Sequence, residues 1–277
     1  MQQLYEFLPR TIPLFGGGGL SLYWTLIAVG LMIAAFIINK EAHRYFDRTR
    51  HEKLVKRVVP EGGFFGMVSS YIGAKLFYIV FYGWEQFLQN PLETVFSASG
   101  WMYYGGEIVG MTIVILYLRR MQFPVLRSLD AVGFGFLIAH GVGRLGCFAG
   151  GCCYGIATSS DLGVEFAGMT GPVHPTQLYE AIPLFVAFII LWVIRKRFQT
   201  PGRLYAVYFI FYGLLRFFVE IVRASAYPMG PLQLSASQHI AIIQFLLGGA
   251  LFYWLPKYHR QSFSVRDEKS ADYSNVS

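Results

Sequence analysis

Tyr212, Arg216, Glu220 and Arg223 stand at offsets of 0, 4, 8 and 11 within one apolar stretch. At about 100° per residue a helix brings them within an arc of roughly 80°. One face then carries a phenol, a guanidinium, a carboxylate and a second guanidinium in a column. Glu220 lies one turn from Arg216 and can neutralise and orient it. The planar arginine fork makes paired hydrogen bonds to two oxygens, so a column of this kind suits a phosphate.

A second constellation runs from His140 to Gly155 as HGVGRLGCFAGGCCYG. Its glycines allow close helix packing or a break near the surface. Arg144 lies among them, and a broken helix end plus an arginine makes an anion site. Tyr104-Gly105-Gly106-Glu107 has the same character, small residues with a phenol and a carboxylate. Further on come His174-Pro175-Thr176-Gln177-Leu178-Tyr179-Glu180. Pro175 and Thr176 suit a helix start. That sets His174 at an interface beside the expected cavity mouth, with Gln177 and Glu180 close by. The Gly16–Gly19 run reads as a flexible lead-in rather than a phosphate loop.

The elements that must position these groups are membrane helices. Of 277 residues 55% are hydrophobic and only 14% charged, and mean hydropathy is +0.45. A soluble domain carries about 25% charged residues, so a soluble enzyme, a disordered chain and a nucleic-acid binder are excluded in favour of a polytopic membrane protein. Seven runs reach spanning length: Leu22–Ile38, Gly62–Tyr82, Trp101–Leu118, Ala131–Phe148, Leu178–Ile194, Leu204–Val222 and Ile240–Leu255. Eighteen of the 23 lysines and arginines fall in the first, third and fifth connections and the C-terminal end, whereas 85–100 and 149–177 have none. This alternation predicts an all-α, seven-helix protein with its N-terminus outside and its C-terminus in the cytoplasm. One membrane domain is expected over residues 1–260, followed by a mobile cytoplasmic tail over 261–277. Lys75, Glu107, Arg144, Arg216 and Glu220 fall within or at the ends of spans. Each such charge costs about 2.5–3.5 kcal/mol at the bilayer centre. Buried ion pairs add little over apolar packing, so five of them point to a working polar cavity.

Together and in order, these segments resemble the prolipoprotein diacylglyceryl transferase family. The resemblance runs from Tyr23 to Leu255 through Gly73-Ala-Lys75-Leu-Phe-Tyr78, Gly105-Gly106, Gly143-Arg144-Leu-Gly146, His174 to Glu180, and Tyr212 to Arg223. It implies a bacterial inner-membrane enzyme whose site faces outward. Such enzymes move the diacylglyceryl group of phosphatidylglycerol to a cysteine thiol of a lipoprotein precursor, and glycerol phosphate leaves. It implies that Arg144 and Arg216 are the key arginines, and that Tyr23, Gly155, Tyr212 and Glu220 fall on positions the family uses. Tyr23, Lys75, Gly105, Gly106, Gln177, Tyr179, Tyr212 and Arg223 are expected to bind substrate, and Arg144, Arg216, Tyr104, Glu220 and His174 to act in catalysis.

The departures from the family pattern are specific. Tyr104 replaces the usual histidine before the glycine pair, Cys147 replaces an asparagine, and Cys152 stands where a glutamate is expected. A tyrosine of pKa about 10 is a poor base, which turns attention to His174 or Glu220. Cys147, Cys152 and Cys153 admit several readings: soft packing residues, a disulfide on the oxidising side, or a nucleophilic thiol activated by Arg144. The spacing C-x4-C-C lacks the C-x2-C pair of common zinc sites, and no metal or cofactor is expected. The expected partners are an anionic phospholipid donor and an outer-face acceptor. Two alternatives stand beside the main reading. One is a paralogue with a different acceptor, or one moving the glycerol-phosphate headgroup. The other is a non-catalytic lipid-binding or transport protein.

Overall fold

The computed structural model describes residues 2–13, 19–47, 49, 51–97, 99–223 and 233–274, with backbone alone at Pro13 and 258–274. Gly16–Gly18, Ala98 and the last three residues lie outside that set. The chain is mostly helical. In order it forms α1 (Gln2–Phe7), an antiparallel pair β1 (Thr11–Pro13) and β2 (Gly19–Ser21), α2 (Leu22–Phe46), α3 (Glu52–Phe81), α4 (Trp84–Gln89), α5 (Pro91–Phe96) and α6 (Tyr103–Arg120). It continues with α7 (Val125–Ala149), α8 (Thr176–Ile194), a single 3-10 turn at Arg195–Arg197, α9 (Arg203–Ile221) and α10 (Ala236–Ser274). It packs as two compact units, Ile38–Ser128 and the remainder, and α2 and α7 contribute to both.

Among the described residues six helices, α2, α3, α7, α8, α9 and α10, are long and apolar enough to cross a membrane. The third expected span is present as α6, but it is not among the six. Its 18 residues include Glu107, Arg119 and Arg120, which dilute the apolar run. The expected basic connection after the first span is short, because Lys53, Lys56 and Arg57 already lie in α3. On α8, Ile182, Val186, Ile189, Ile190 and Val193 are exposed along one face. A helix that turns large apolar side chains outward in this register is built to face hydrocarbon.

In the unit Ile38–Ser128, Ala42, Phe46, Val55, Val58, Leu118 and Phe123 form the buried core. Glycines let α3 and α6 approach closely. A Cβ on Gly73 would lie 2.6 Å from the Gly105 carbonyl oxygen, and one on Gly106 would lie 2.8 Å from that of Ser70. Small residues at such a crossing gain backbone contact that lipid cannot replace.

In the other unit, Asp130 of α7 sets α9 in place. Its carboxylate is fully buried and accepts the backbone N–H of Gly202 at 2.9 Å and of Tyr205 at 3.0 Å. An acidic side chain at a helix start satisfies donors that have no partner within the helix. At the far end of α9, α10 begins with a reciprocal cap: Gln238 N–H donates to Ser235 Oγ, and Ser235 N–H donates to Gln238 Oε1. Gly213 and Gly248 bring α9 and α10 together, since a Cβ on either would meet backbone atoms at 2.7 to 2.9 Å.

Gly73→Val should lower the thermal denaturation midpoint in detergent by several degrees, because overpacking costs about 1–3 kcal/mol. Gly63→Val should leave it unchanged, because a Cβ there meets nothing within 4 Å. Equal midpoints for the two variants would remove the close α3–α6 crossing as a stabilising feature.

Candidate active site

The site begins with α8. Its first residue, Thr176, donates through Oγ1 to the Cys153 carbonyl at 2.7 Å, and Gln177 Nε2 donates to the Cys152 carbonyl at 2.6 Å. The loop after α7 is thereby fastened to the start of α8. Gly155 crosses here as well: its N–H donates to the His174 carbonyl, and Ile156 N–H donates to that of Val222. A Cβ on Gly155 would meet His174 Cβ and Thr176 Cγ2, both at 2.9 Å. Only a glycine lets the three chain segments meet this closely.

One turn into α8 lies Glu180, which is buried. Arg216 Nη1 of α9 donates to Glu180 Oε1 at 2.8 Å. Arg144 Nη2 of α7 lies 2.9 Å from Glu180 Oε2, and His140 Nε2 lies 3.5 Å from the same oxygen. Arg216 Nη2 donates in turn to Glu220 Oε2 at 2.6 Å and to Ser237 Oγ at 3.3 Å. Ser235 Oγ donates to Glu220 Oε1 at 3.1 Å, so the cap of α10 also holds the column. Arg223 Nη1 is 3.9 Å from Glu220 Oε2. Burial, together with Arg216 and Arg144, holds the Arg223 guanidinium below its ordinary pKa. Three guanidiniums face two carboxylates here, which leaves one positive charge over.

The tyrosines and His174 frame this cluster. Tyr212 is buried, its hydroxyl 3.4 Å from His140 Nε2, and its ring stacks on Tyr208. His174 Nδ1 lies 3.1 Å from the Tyr179 hydroxyl. Tyr23 of α2 packs on α7 where glycines leave room: a Cβ on Gly150 would lie 3.3 Å from the Tyr23 ring. Tyr23 also lines a cavity of about 340 Å³ with Tyr5, Arg10, Ser21, Gly151 and Ala167. Arg144 Nε and Gln177 Oε1 are buried and have no hydrogen-bond partner among the described residues. A donor and an acceptor are therefore left open beside the charged cluster.

The profile of the prolipoprotein diacylglyceryl transferase family matches residues 11–254. The chain belongs to that family. Among its relatives is the phosphatidylglycerol–prolipoprotein diacylglyceryl transferase of Clostridium tetani, 33% identical over 237 residues that cover 83% of this chain and 91% of that protein. The enzyme of the same name from Chlorobaculum tepidum is 33% identical over 261 residues, covering 87% and 88%. That from Clostridioides difficile is 30% identical over 250 residues, covering 89% and 96%.

Membership in the diacylglyceryl transferase family gives the remaining expected residues a frame. Arg144, Arg216, Glu220, Arg223 and Tyr212 meet in one cluster, and His174, Gln177 and Tyr179 lie on the adjoining turn. Lys75, Tyr104, Gly105 and Gly106 belong to the other unit. There the buried Lys75 Nζ donates to the Ser97 and Ser99 carbonyls at 3.0 and 2.8 Å and to Ser97 Oγ at 2.9 Å, and lies over the Trp101 ring. These contacts tie down the connection into α6. Tyr104 is buried and packs edge-on against Tyr103.

Glu180 and His140 carry more of the site than the sequence reading gave them. Charge accounting is the signal that finds Glu180. Lys75, Arg144 and Arg216 in spans against Glu107 and Glu220 leave one cation without an acid, and Glu180 lies inside the fifth run. His140 precedes Arg144 by one helical turn, which puts both on one face of α7.

Glu180→Gln should destabilise the protein by about 3–5 kcal/mol, because it strips the buried Arg216 and the partly buried Arg144 of their shared counter-ion. The double variant Glu180→Gln with Arg144→Gln should recover part of that loss in a detergent denaturation series. A double variant no more stable than the single one would mean that Arg144 does not depend on Glu180.

Proposed function

We propose that this diacylglyceryl transferase moves the diacylglyceryl group of phosphatidylglycerol to the cysteine thiol of a lipoprotein precursor. The observation that carries the reading is the cluster of Arg144, Arg216 and Arg223 on the buried carboxylates of Glu180 and Glu220, with its one surplus positive charge. A phosphodiester carries one negative charge, which this surplus matches. The names of the relatives point to the same donor and acceptor.

The products dictate which bond breaks. A new sulfur–carbon bond forms at the terminal glyceryl carbon, and the bond from that carbon to the phosphate oxygen breaks. Its electron pair stays on the phosphate, so glycerol phosphate departs with a second negative charge. The catalytic task is to stabilise that growing charge. Fixed guanidiniums in a water-poor site do so without reorganising. Arg144 and Arg216 are the clamp in this reading. Glu220 is a positioning residue, because its oxygens already accept from Arg216 and Ser235. Tyr23, Gln177, Tyr179, Tyr212 and Arg223 line the donor's place, and His174 takes the thiol proton.

The reading includes a topology of seven spans with the N-terminus outside, the site toward the outer face, and the C-terminal segment in the cytoplasm. The distribution of lysine and arginine supports it. As the additional span, α6 would rise about 27 Å, close to the hydrocarbon thickness of about 30 Å.

Mass spectrometry of purified protein with phosphatidylglycerol and a peptide bearing the precursor cysteine tests the reaction. The expected products are a diacylglyceryl-modified peptide and free glycerol phosphate. Arg144→Ala and Arg216→Ala should each reduce both products at least a hundredfold, in line with the loss of a charge-stabilising donor of about 2.7–4 kcal/mol. Donor left intact by the unmodified protein would overturn the enzyme reading. His174→Asn should slow transfer at neutral pH and regain rate as pH climbs toward the free thiol value of about 8.5, where the acceptor ionises unaided. A pH–rate profile unchanged by this substitution would remove His174 as the proton acceptor.

A further inference from the structure

Cys147 lies near the end of α7, and Cys152 and Cys153 follow in the loop beyond it. Their three Sγ atoms lie within 4.8 Å of one another. Three sulfurs bound 2.3 Å from one tetrahedral zinc stand about 3.8 Å apart. Each sulfur is then only roughly half an ångström from its place around a shared ion.

The backbone holds this arrangement deliberately. Cys153 has φ of +63°, a left-handed conformation that costs a residue with a side chain about 1–3 kcal/mol. Gly151, at φ +64°, turns the chain back toward the helix. Cys152 N–H donates to the Cys147 carbonyl at 3.0 Å. The carbonyls of Cys152 and Cys153 are the same two that Gln177 and Thr176 hold from α8. The backbone carrying the sulfurs is thus anchored before any ligand arrives. A disulfide would use only two of the three. Packing would not require the strained turn.

Thiolates select soft ions. A divalent ion with three thiolates has one net negative charge, and the Arg144 and Arg223 charges both act on Cys153. Cys153 is exposed, while Cys147 and Cys152 are partly buried, so the cluster opens on one side. Three protein ligands with an open side is the arrangement of zinc sites that accept a further ligand. Closed structural sites use four. The spacing in sequence hides this, because the turn after the helix rather than a C-x2-C knuckle brings the sulfurs together.

We propose that Cys147, Cys152 and Cys153 form a three-thiolate site for a soft d10 metal ion, with zinc the first choice, and that one coordination position remains for water or an incoming thiol. Loading releases the three thiol protons to solvent as the metal–sulfur bonds form. The site rests on these residues alone and holds whether or not the transfer reaction is as read above.

The full-length protein, purified in detergent under reducing conditions and equilibrated with zinc, should retain one zinc per chain by elemental mass spectrometry. Cys147→Ser and Cys153→Ser should each lower retention at least tenfold while the denaturation midpoint stays near that of the metal-free protein. Zinc should protect the three thiols of the unsubstituted protein from a thiol reagent, a readout that needs no variant. Cobalt in place of zinc should give the sulfur-to-metal charge-transfer band of a tetrahedral thiolate site, and an added small thiol should shift it. No retained zinc, with thiols equally reactive in its presence, would overturn the site. A cobalt spectrum indifferent to added thiol would overturn the open position.

Discussion

A carboxylate within a membrane-spanning helix cannot stand without cations, and two arginines there cannot stand without a carboxylate. Glu180 answers both needs at once. It joins Arg144 of α7 to Arg216 of α9 across α8, so three helices are locked in rotation and depth by one side chain. The rest of that unit serves this lock. Asp130 caps the start of α9 and thereby fixes its rotation. The cap of α10 reaches Glu220 and Arg216 through Ser235 and Ser237. Turning α9 by one residue, about 100°, would carry Arg216 away from Glu180 and leave ionised groups in an apolar environment. The register of the bundle is therefore set by electrostatics as much as by packing.

The same accounting bears on the donor. A site with one positive charge in surplus is complete once a single phosphodiester enters. A zwitterionic lipid brings the same phosphate and an ammonium with it, and the ammonium meets three guanidiniums. A lipid whose headgroup ends in glycerol brings hydroxyls instead, which can hydrogen-bond to Arg144 Nε and Gln177 Oε1, the buried atoms that lack partners among the described residues. Under the proposed reading, selection for an anionic glycerol headgroup would rest on charge balance and on unfilled hydrogen-bonding capacity together.

Much of this was legible in the sequence, because helical periodicity carries it. The column on α9 is a matter of spacing, and Arg216 and Glu220 do bond one turn apart. The helices expected at seven places are all present, although α6 carries three charges and does not reach the apolar character of the other six. What escaped depends on contact between elements. Glu180 sits 36 residues from Arg144 and from Arg216 alike, and spacing alone does not pair residues so far apart. Lys75 reads as an intramembrane cation available to a ligand. Its ammonium is instead occupied by the carbonyls of the Ser97–Ser99 turn, a partner that no side-chain motif advertises. The glycines of α3 and α6 read equally well as ligand approach or helix approach, and only the distances decide between them.

The cysteine loop shows why one part of such a site can change while another is kept. Thr176 and Gln177 hold this loop by backbone carbonyls, and a carbonyl is indifferent to the side chain it carries. The side chains at 152 and 153 can therefore be exchanged for others without removing the two bonds that hold the loop to α8. Arg144 has no such freedom, because its own side chain makes the bond that matters.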